Sequence, residues 1–275
     1  MDQEPVPVRA AQRKHPKSGV QWKKPLYSLL VLGIFLVTWK IVQQWAQAIY
    51  FPSPDGVFRA AAELAARGDL EGYSLVEHAW SSFIRVFSGF SAAFLMGVML
   101  GLWMGLFPII YDTLKVILEP VRFIPPVAWV PIAIVMLVGF SRYMFIIWLG
   151  AFFPIFISVL TSISKVDVLL KDAVKVYGGS SLDMIRKVVI PSITPEILSG
   201  SRIGLGTSWA CIVAAEMIGG ETIGLGRLIL KYADLLQTNE VVVGMILVGI
   251  IGLSCNEVVL QIEKRLFAWR PKISL

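Results

Sequence analysis

Charge is scarce in this chain. Asp, Glu, Lys and Arg make up 16% of its 275 residues, where soluble domains carry roughly a quarter. With 56% hydrophobic residues and a mean hydropathy of +0.71, this excludes an ordinary water-soluble domain. Cysteine is nearly absent: Cys211 and Cys255 each sit in an apolar run without a CxxC neighbour. That excludes a disulfide framework, and both read as packing residues. The two histidines, His15 and His78, lie far apart without metal-ligand spacing, so no metal site is expected. No GxxxxGK[ST] phosphate loop, no HExxH pair and no nucleophile with its base occur. The chain is expected to bind no cofactor and to catalyse nothing itself.

What it does have is long apolar runs. Six stretches of about 20 residues are long enough to cross a bilayer: roughly 26–49, 83–107, 116–140, 144–163, 197–219 and 241–262. They leave no room for a separate soluble core. The expected architecture is all-α, a polytopic bundle of six transmembrane helices.

Lys and Arg set its orientation. With the amino terminus inside, the inner segments hold sixteen: Arg9, Arg13, Lys14, Lys17, Lys23, Lys24, Lys115, Lys165, Lys171, Lys175, Arg186, Lys187, Lys264, Arg265, Arg270 and Lys272. The outer segments hold five: Arg59, Arg67, Arg142, Arg227 and Lys231. This bias places both termini in the cytoplasm. The net charge of +6 then follows from topology and attraction to anionic lipid, with no nucleic-acid partner required. At the amino end, a basic stretch, an apolar run and Ala46-Gln47-Ala48 resemble a cleavable signal peptide. The long basic region and the interruptions at Lys40 and Trp45 argue instead for a retained span.

One long polar passage, "KDAVKVYGGSSLDMIRKVVIP" (171–191), separates two apolar runs. Asp167 is a good N-cap for a helix over 168–177, and Gly178 suits the left-handed turn that ends it. Ser180 or Ser181 caps a second helix, which Pro191 is expected to stop, while Pro195 helps start the next span. Leu170, Ala173, Val174 and Tyr177 form an apolar stripe on the first piece, and Leu182, Ile185 and Val188 on the second. Periodicity alone leaves open a loop on the lipid head groups or a docking element.

Asp172-Ala173-Val174, three residues, Gly178, nine residues, Val188, one residue and Ile190-Pro191 resemble the signature loop of ABC-importer permeases. The pattern there is Glu-Ala-Ala, x3, Gly, x9, Ile, x, Leu-Pro, and all four departures are conservative. "EPVRFIPPVAWVPI" (119–132), "GSRIGLGTSWACIVAAEMIG" (200–219), "GLGRLILKYADLLQTNEVVVGMI" (224–246) and "IEKRLFAWR" (262–270) are similar to the subgroup importing nitrate, sulfonates, taurine or bicarbonate. The resemblance covers about 80–270 and implies a type I (MetI-like) permease fold. It divides the chain into a basic tail (1–24), a first span with its external loop (25–79), the transporter domain (80–262) and a second tail (263–275).

The resemblance also implies that 167–191 is a coupling loop gripped by an ABC ATPase subunit. Its contact residues would be Leu170, Lys171, Asp172, Ala173, Val174, Tyr177, Gly178, Gly179, Ser180 and Pro191. ATP and magnesium would bind that partner, a second permease copy would complete the pathway, and an external solute-binding protein would deliver a small oxyanion in a cycle of alternating access.

Physical chemistry adds local expectations. Gly89, Ala93, Gly97, Gly101 and Gly105 place a small residue at every fourth position of the second span, allowing a closely crossed helix. Its partner is left open, within the bundle or across a subunit interface. Pro125, Pro126 and Pro131 should bend or interrupt the third span, and broken helices at membrane depth line cavities. Arg122 either snorkels to head groups or faces the pathway with Pro125, Pro126 and Trp129. In the fifth span, Arg202, Trp209 and Glu216 are further candidates. A carboxylate such as Glu216 must face the interior with a partner, as an outer gate or as a structural ion pair. An ATP-independent transporter or channel is the rival reading, and the spaced loop argues against it.

Overall fold

A computed structural model describes residues 24–46 and 50–266. The basic tails, Gln47-Ala48 of the cleavage-like motif and the end of "IEKRLFAWR" lie outside the described residues. The chain divides into two units, one reaching Pro54 and the other beginning at Asp55.

The first unit is built around α1 (Lys24–Ala46), about 35 Å long at 1.5 Å per residue. Leu29, Val31 and Phe35 on its apolar surface are exposed within the chain, as suits a helix in contact with lipid. Trp39 Nε1 donates to the Pro52 carbonyl at 3.0 Å.

The second unit opens one residue into α2 (Pro54–Arg67). Proline at the first position, Asp55 in the first turn and Arg67 in the last suit helix ends and dipole. Val57, Ala60 and Leu64 bury one face. Next, α3 runs from Leu75 to Leu106, starting eight residues before the apolar run predicted at 83. Glu77 and His78 dilute the hydropathy there, but a capping box fixes the start: Glu77 N donates to Ser74 Oγ at 3.2 Å and Ser74 N to Glu77 Oε2 at 2.7 Å.

The glycine stripe of α3 meets α6 (Phe140–Ser164), so its partner lies within this chain. A Cβ added at Gly89 would stand 2.7 Å from Ile147, at Gly97 3.1 Å from Ile155, and at Gly101 2.8 Å from Val159. One at Gly105 would stand 2.5 Å from Ile163. Ala93 and Ala151, both fully buried, belong to the same packed cluster. Small residues every four positions thus receive Ile147, Ile155, Val159 and Ile163, and dispersion holds the helices where lipid offers no hydrophobic drive. α6 in turn packs on α9 (Ile190–Ile218), with Gly150 against the Cys211 sulfur. Thr207 Oγ1 donates across to Gly150 O at 2.8 Å.

The third predicted span is two helices, α4 (Pro108–Phe123) and α5 (Val130–Met136). They are linked by a 3₁₀ turn, Pro126–Trp129, and bent by 90°. The cause is local. A residue before proline is pushed out of the helical region, and Ile124 and Pro125 are extended at ψ 117° and 134°.

After α6 comes α7 (Val168–Val176) and then α8 (Ser181–Met184). Pro191 does not stop the second of these, which corrects the sequence expectation. A π segment, Ile185–Val189, carries α8 directly into α9, and Ser181–Ile218 forms one candidate span. The Ile190 N–H reaches back five residues to Ile185 O. Pro191 and Pro195 bring no N–H to the helix, and the wider π spacing just before them lets the axis continue. Two helices complete the unit beside α9: short α10 (Leu225–Asp234) and long α11 (Thr238–Leu266).

Candidate functional site

Three assemblies of side chains occupy the second unit. The first is the arm α7–α8. Asp167 Oδ1 accepts from Leu169 N at 2.9 Å, as the N-cap reading required. Gly178 at φ +73° makes the elbow. Ser180 and Asp183 then close a second capping box, Asp183 N donating to Ser180 Oγ at 3.1 Å. The arm is therefore stiff, yet no residue of α7 is buried. Val176 is 84% exposed and Tyr177 90%, and Leu170 and Ala173 are also open. Lys171 and Val174 are half-buried, and Gly179 packs against Val174. Lys175 pairs with Asp172 at 3.4 Å. Pro191 stands apart from the arm, in the first turn of α9.

The second is a cavity of about 570 Å³ lined by α4, α6 and α9 and by the break after α4. Arg122 and Pro126 line it with Phe153, Ile203 and Thr207. Arg122 brings the only formal charge to that lining, and its Nη2 lies 2.9 Å from Glu119. The other sequence candidates fall elsewhere. Pro125 is exposed at the bend, and Trp129 packs edge-on to Phe145. Trp209 is buried in the core against Gly252 of α11. Arg202 reaches Glu263 of α11 at 3.5 Å.

The third surrounds Glu216, which is 0% exposed. Its carboxylate accepts from Arg85 Nη1 at 2.7 Å, from Ser82 Oγ at 2.8 Å and from Gly226 N at 2.9 Å. Arg85 also donates to Ile223 O at 2.9 Å, and its guanidinium lies 4.5 Å from the Tyr143 ring centre. His78 Nδ1 stands 3.0 Å from Gly224 N, and its Nε2 3.3 Å from Asp69 Oδ2. Asp69 also meets Lys231 at 2.8 Å. Burial opposes the charge on Asp69, but Lys231 and the N–H groups of Tyr73 and Glu71 outweigh it and hold the carboxyl below its ordinary value. Burial likewise opposes the charge on Lys231, while Asp69 and Glu71 raise its pKa.

Sequence reasoning found Glu216 but none of these partners. A signal existed. His78, Ser82, Arg85 and Gly89 are spaced i, i+4, i+7 and i+11, one helical face that continues into the glycine stripe. No group of His, Cys, Asp and Glu able to hold a metal occurs among the described residues.

Residues 93–268 match the profile of the family described as binding-protein-dependent transport system inner membrane component. The chain belongs to this family. A putative ABC transporter permease of Methanocaldococcus jannaschii is 36% identical, covering 88% of this chain and 92% of its own. The nitrate import permease of Synechocystis is 31% identical over 93% and 94%, and the taurine transport permease of Escherichia coli 29% over 92% and 95%. The permease is thus a multi-pass inner membrane protein with the type I importer fold, the transmembrane subunit of an ABC importer. It works with an ATPase and a solute-binding protein, and it is not an enzyme.

Proposed function

We propose that two copies of this chain enclose a pathway for a small oxyanion such as nitrate, bicarbonate or an organosulfonate, and that ATPase subunits drive it through the α7–α8 arm. The observation that carries this reading is the arm itself: a doubly capped, glycine-jointed element with Val176 and Tyr177 almost fully open. A stiff element showing apolar side chains at a polar end of the molecule is suited to burial in a partner's groove. ATP and magnesium bind that partner, and closure of the ATPase pair biases the bundle between inward-open and outward-open states. The excess of Lys and Arg in alternate segments supports a cytoplasmic arm and cytoplasmic termini, with lipid around the bundle. An oxyanion is favoured by the names of the relatives and by Arg122, the charged side chain of the cavity.

Extraction in mild detergent tests the reading. An ATPase subunit is expected to copurify with the permease, and solute uptake in proteoliposomes is expected to need ATP. Uptake that persists without any ATPase would establish the secondary transporter or channel instead.

A further inference from the structure

The segment joining α9 to α10 is the part of this bundle best suited to swing. Gly219, Gly220, Gly224 and Gly226 fall within eight residues, and Gly220 and Gly224 have φ of +79° and +154°. Its ends are nevertheless held, Gly219 N by Ala215 O and residues 223–226 by other helices. α10 begins at a glycine N-cap that has no side chain to satisfy the open donors of its first turn. Three successive N–H groups instead meet groups of other helices. Gly224 N stands 3.0 Å from His78 Nδ1, which accepts it in the tautomer whose Nε2–H faces Asp69 and which is equally near Gly224 O. Leu225 donates to Ser82 Oγ at 2.9 Å and Gly226 to Glu216 Oε2 at 2.9 Å. Arg85 takes the Ile223 carbonyl and neutralises Glu216. A Cβ at Gly224 would lie 2.6 Å from Glu216 Oε2, so only glycine admits the carboxylate this closely.

We propose that His78, Ser82, Arg85 and Glu216 are positioning residues for transport, welding α10 to α3 and α9 so that this end of the pathway opens by movement of the welded block and never by lifting of residues 219–226. The proposal rests on the permease reading and on the docking arm lying at the opposite end. The physical ground is what each motion would break. Lifting α10 alone strands three donors and takes the Ile223 O and Gly226 N contacts away from an ion pair buried beside Tyr143 and Ile212, both fully buried. Moving the block breaks none of these bonds. Further along, α10 is tied as well, through Lys231 to Asp69 and through Ile229 packed on Gly244 of α11.

Hydrogen exchange on the intact complex, with its ATPase bound, tests this in nucleotide-free and ATP-vanadate-trapped states. The amides of 224–226 are expected to hold their protection within about twofold while the 167–184 arm changes; a rise of about tenfold on trapping would mean that the segment lifts and would overturn the proposal. A Ser82→Ala variant is expected to speed exchange at Leu225 roughly tenfold and, by loosening the closed end, to raise ATP hydrolysis without binding protein severalfold. Faster exchange with unchanged hydrolysis would reduce the weld to a purely structural role, and unchanged exchange would refute the clamp. Failure of the docking reading is separate and appears as a permease that purifies with no ATPase.

Discussion

Arg85 on α3 and Glu216 on α9, 131 residues apart, meet at 2.7 Å where the carboxylate has no exposed surface. Removing one partner leaves the other charge buried and unpaired, which costs about 3–5 kcal/mol. Arg85→Met and Glu216→Met are each expected to lower the thermal midpoint of the detergent-solubilised permease sharply. The double variant should lose clearly less than the sum, because no unpaired charge remains. Additive losses would mean that the two residues act independently.

This pair also marks where the sequence stops being readable. The arm was legible almost to the residue, because an N-cap, a left-handed glycine and a capping box are signals held within a few neighbouring positions, as at Asp167, Gly178 and Ser180. The bend after Phe123 was legible for the same reason, since prolines act on their own neighbours. The continuation through Pro191 was not, because proline's usual effect was cancelled by a π segment that periodicity does not reveal. The Glu216 clamp could not be assembled from the chain alone. Its members come from α3, α9 and α10, and only tertiary packing brings them together.

Glycine substitutions should separate packing from flexibility. A Cβ at Gly101 would stand 2.8 Å from Val159, whereas at Gly206 it would meet nothing within 4 Å. Gly101→Ala is therefore expected to destabilise by about 1–3 kcal/mol through overpacking. Gly206→Ala should stabilise by about 0.5–1 kcal/mol through helix propensity. Opposite shifts in thermal midpoint check this contrast, and equal shifts would contradict the α3–α6 contact.

At the elbow, Gly178 has φ +73° and open space around its Cβ position, so a substitution there meets only backbone strain. Gly178→Val is expected to cost about 1–2 kcal/mol locally and to reduce the ATPase that copurifies, while Gly178→Asn, which tolerates this conformation, should keep most of it. A Val variant that retains full ATPase would show that the elbow's geometry is not what the partner grips.

The Asp69–Lys231 contact predicts stability limits at both ends of the pH scale. Asp69 has a lowered folded-state pKa, so its contribution is complete above the ordinary carboxylate range and is lost as pH falls through the folded value. Lys231 has a raised one, so its contribution is present below the ordinary lysine range and is lost as pH rises through the folded value. Thermal midpoints measured across pH should fall at both extremes, and Asp69→Asn should flatten the acid limb. An acid limb unchanged in the variant would assign that limb to other carboxylates.

Two arginines near the cavity make opposite predictions. Arg122 lines it, whereas Arg202 turns to Glu263 on α11 and does not. If the solute is an anion and its route is this cavity, Arg122 stabilises it there through an interaction that strengthens as water is excluded. Arg122→Gln is expected to lower ATP-dependent uptake of the transported member of a nitrate, bicarbonate and taurine panel by about tenfold, equivalent to roughly 1.4 kcal/mol, with assembly intact. Arg202→Gln should leave uptake near wild type and instead loosen the α9–α11 contact, seen as a lower thermal midpoint. Reversal of the two phenotypes would move the pathway from the α4–α6–α9 cavity to the face between α9 and α11.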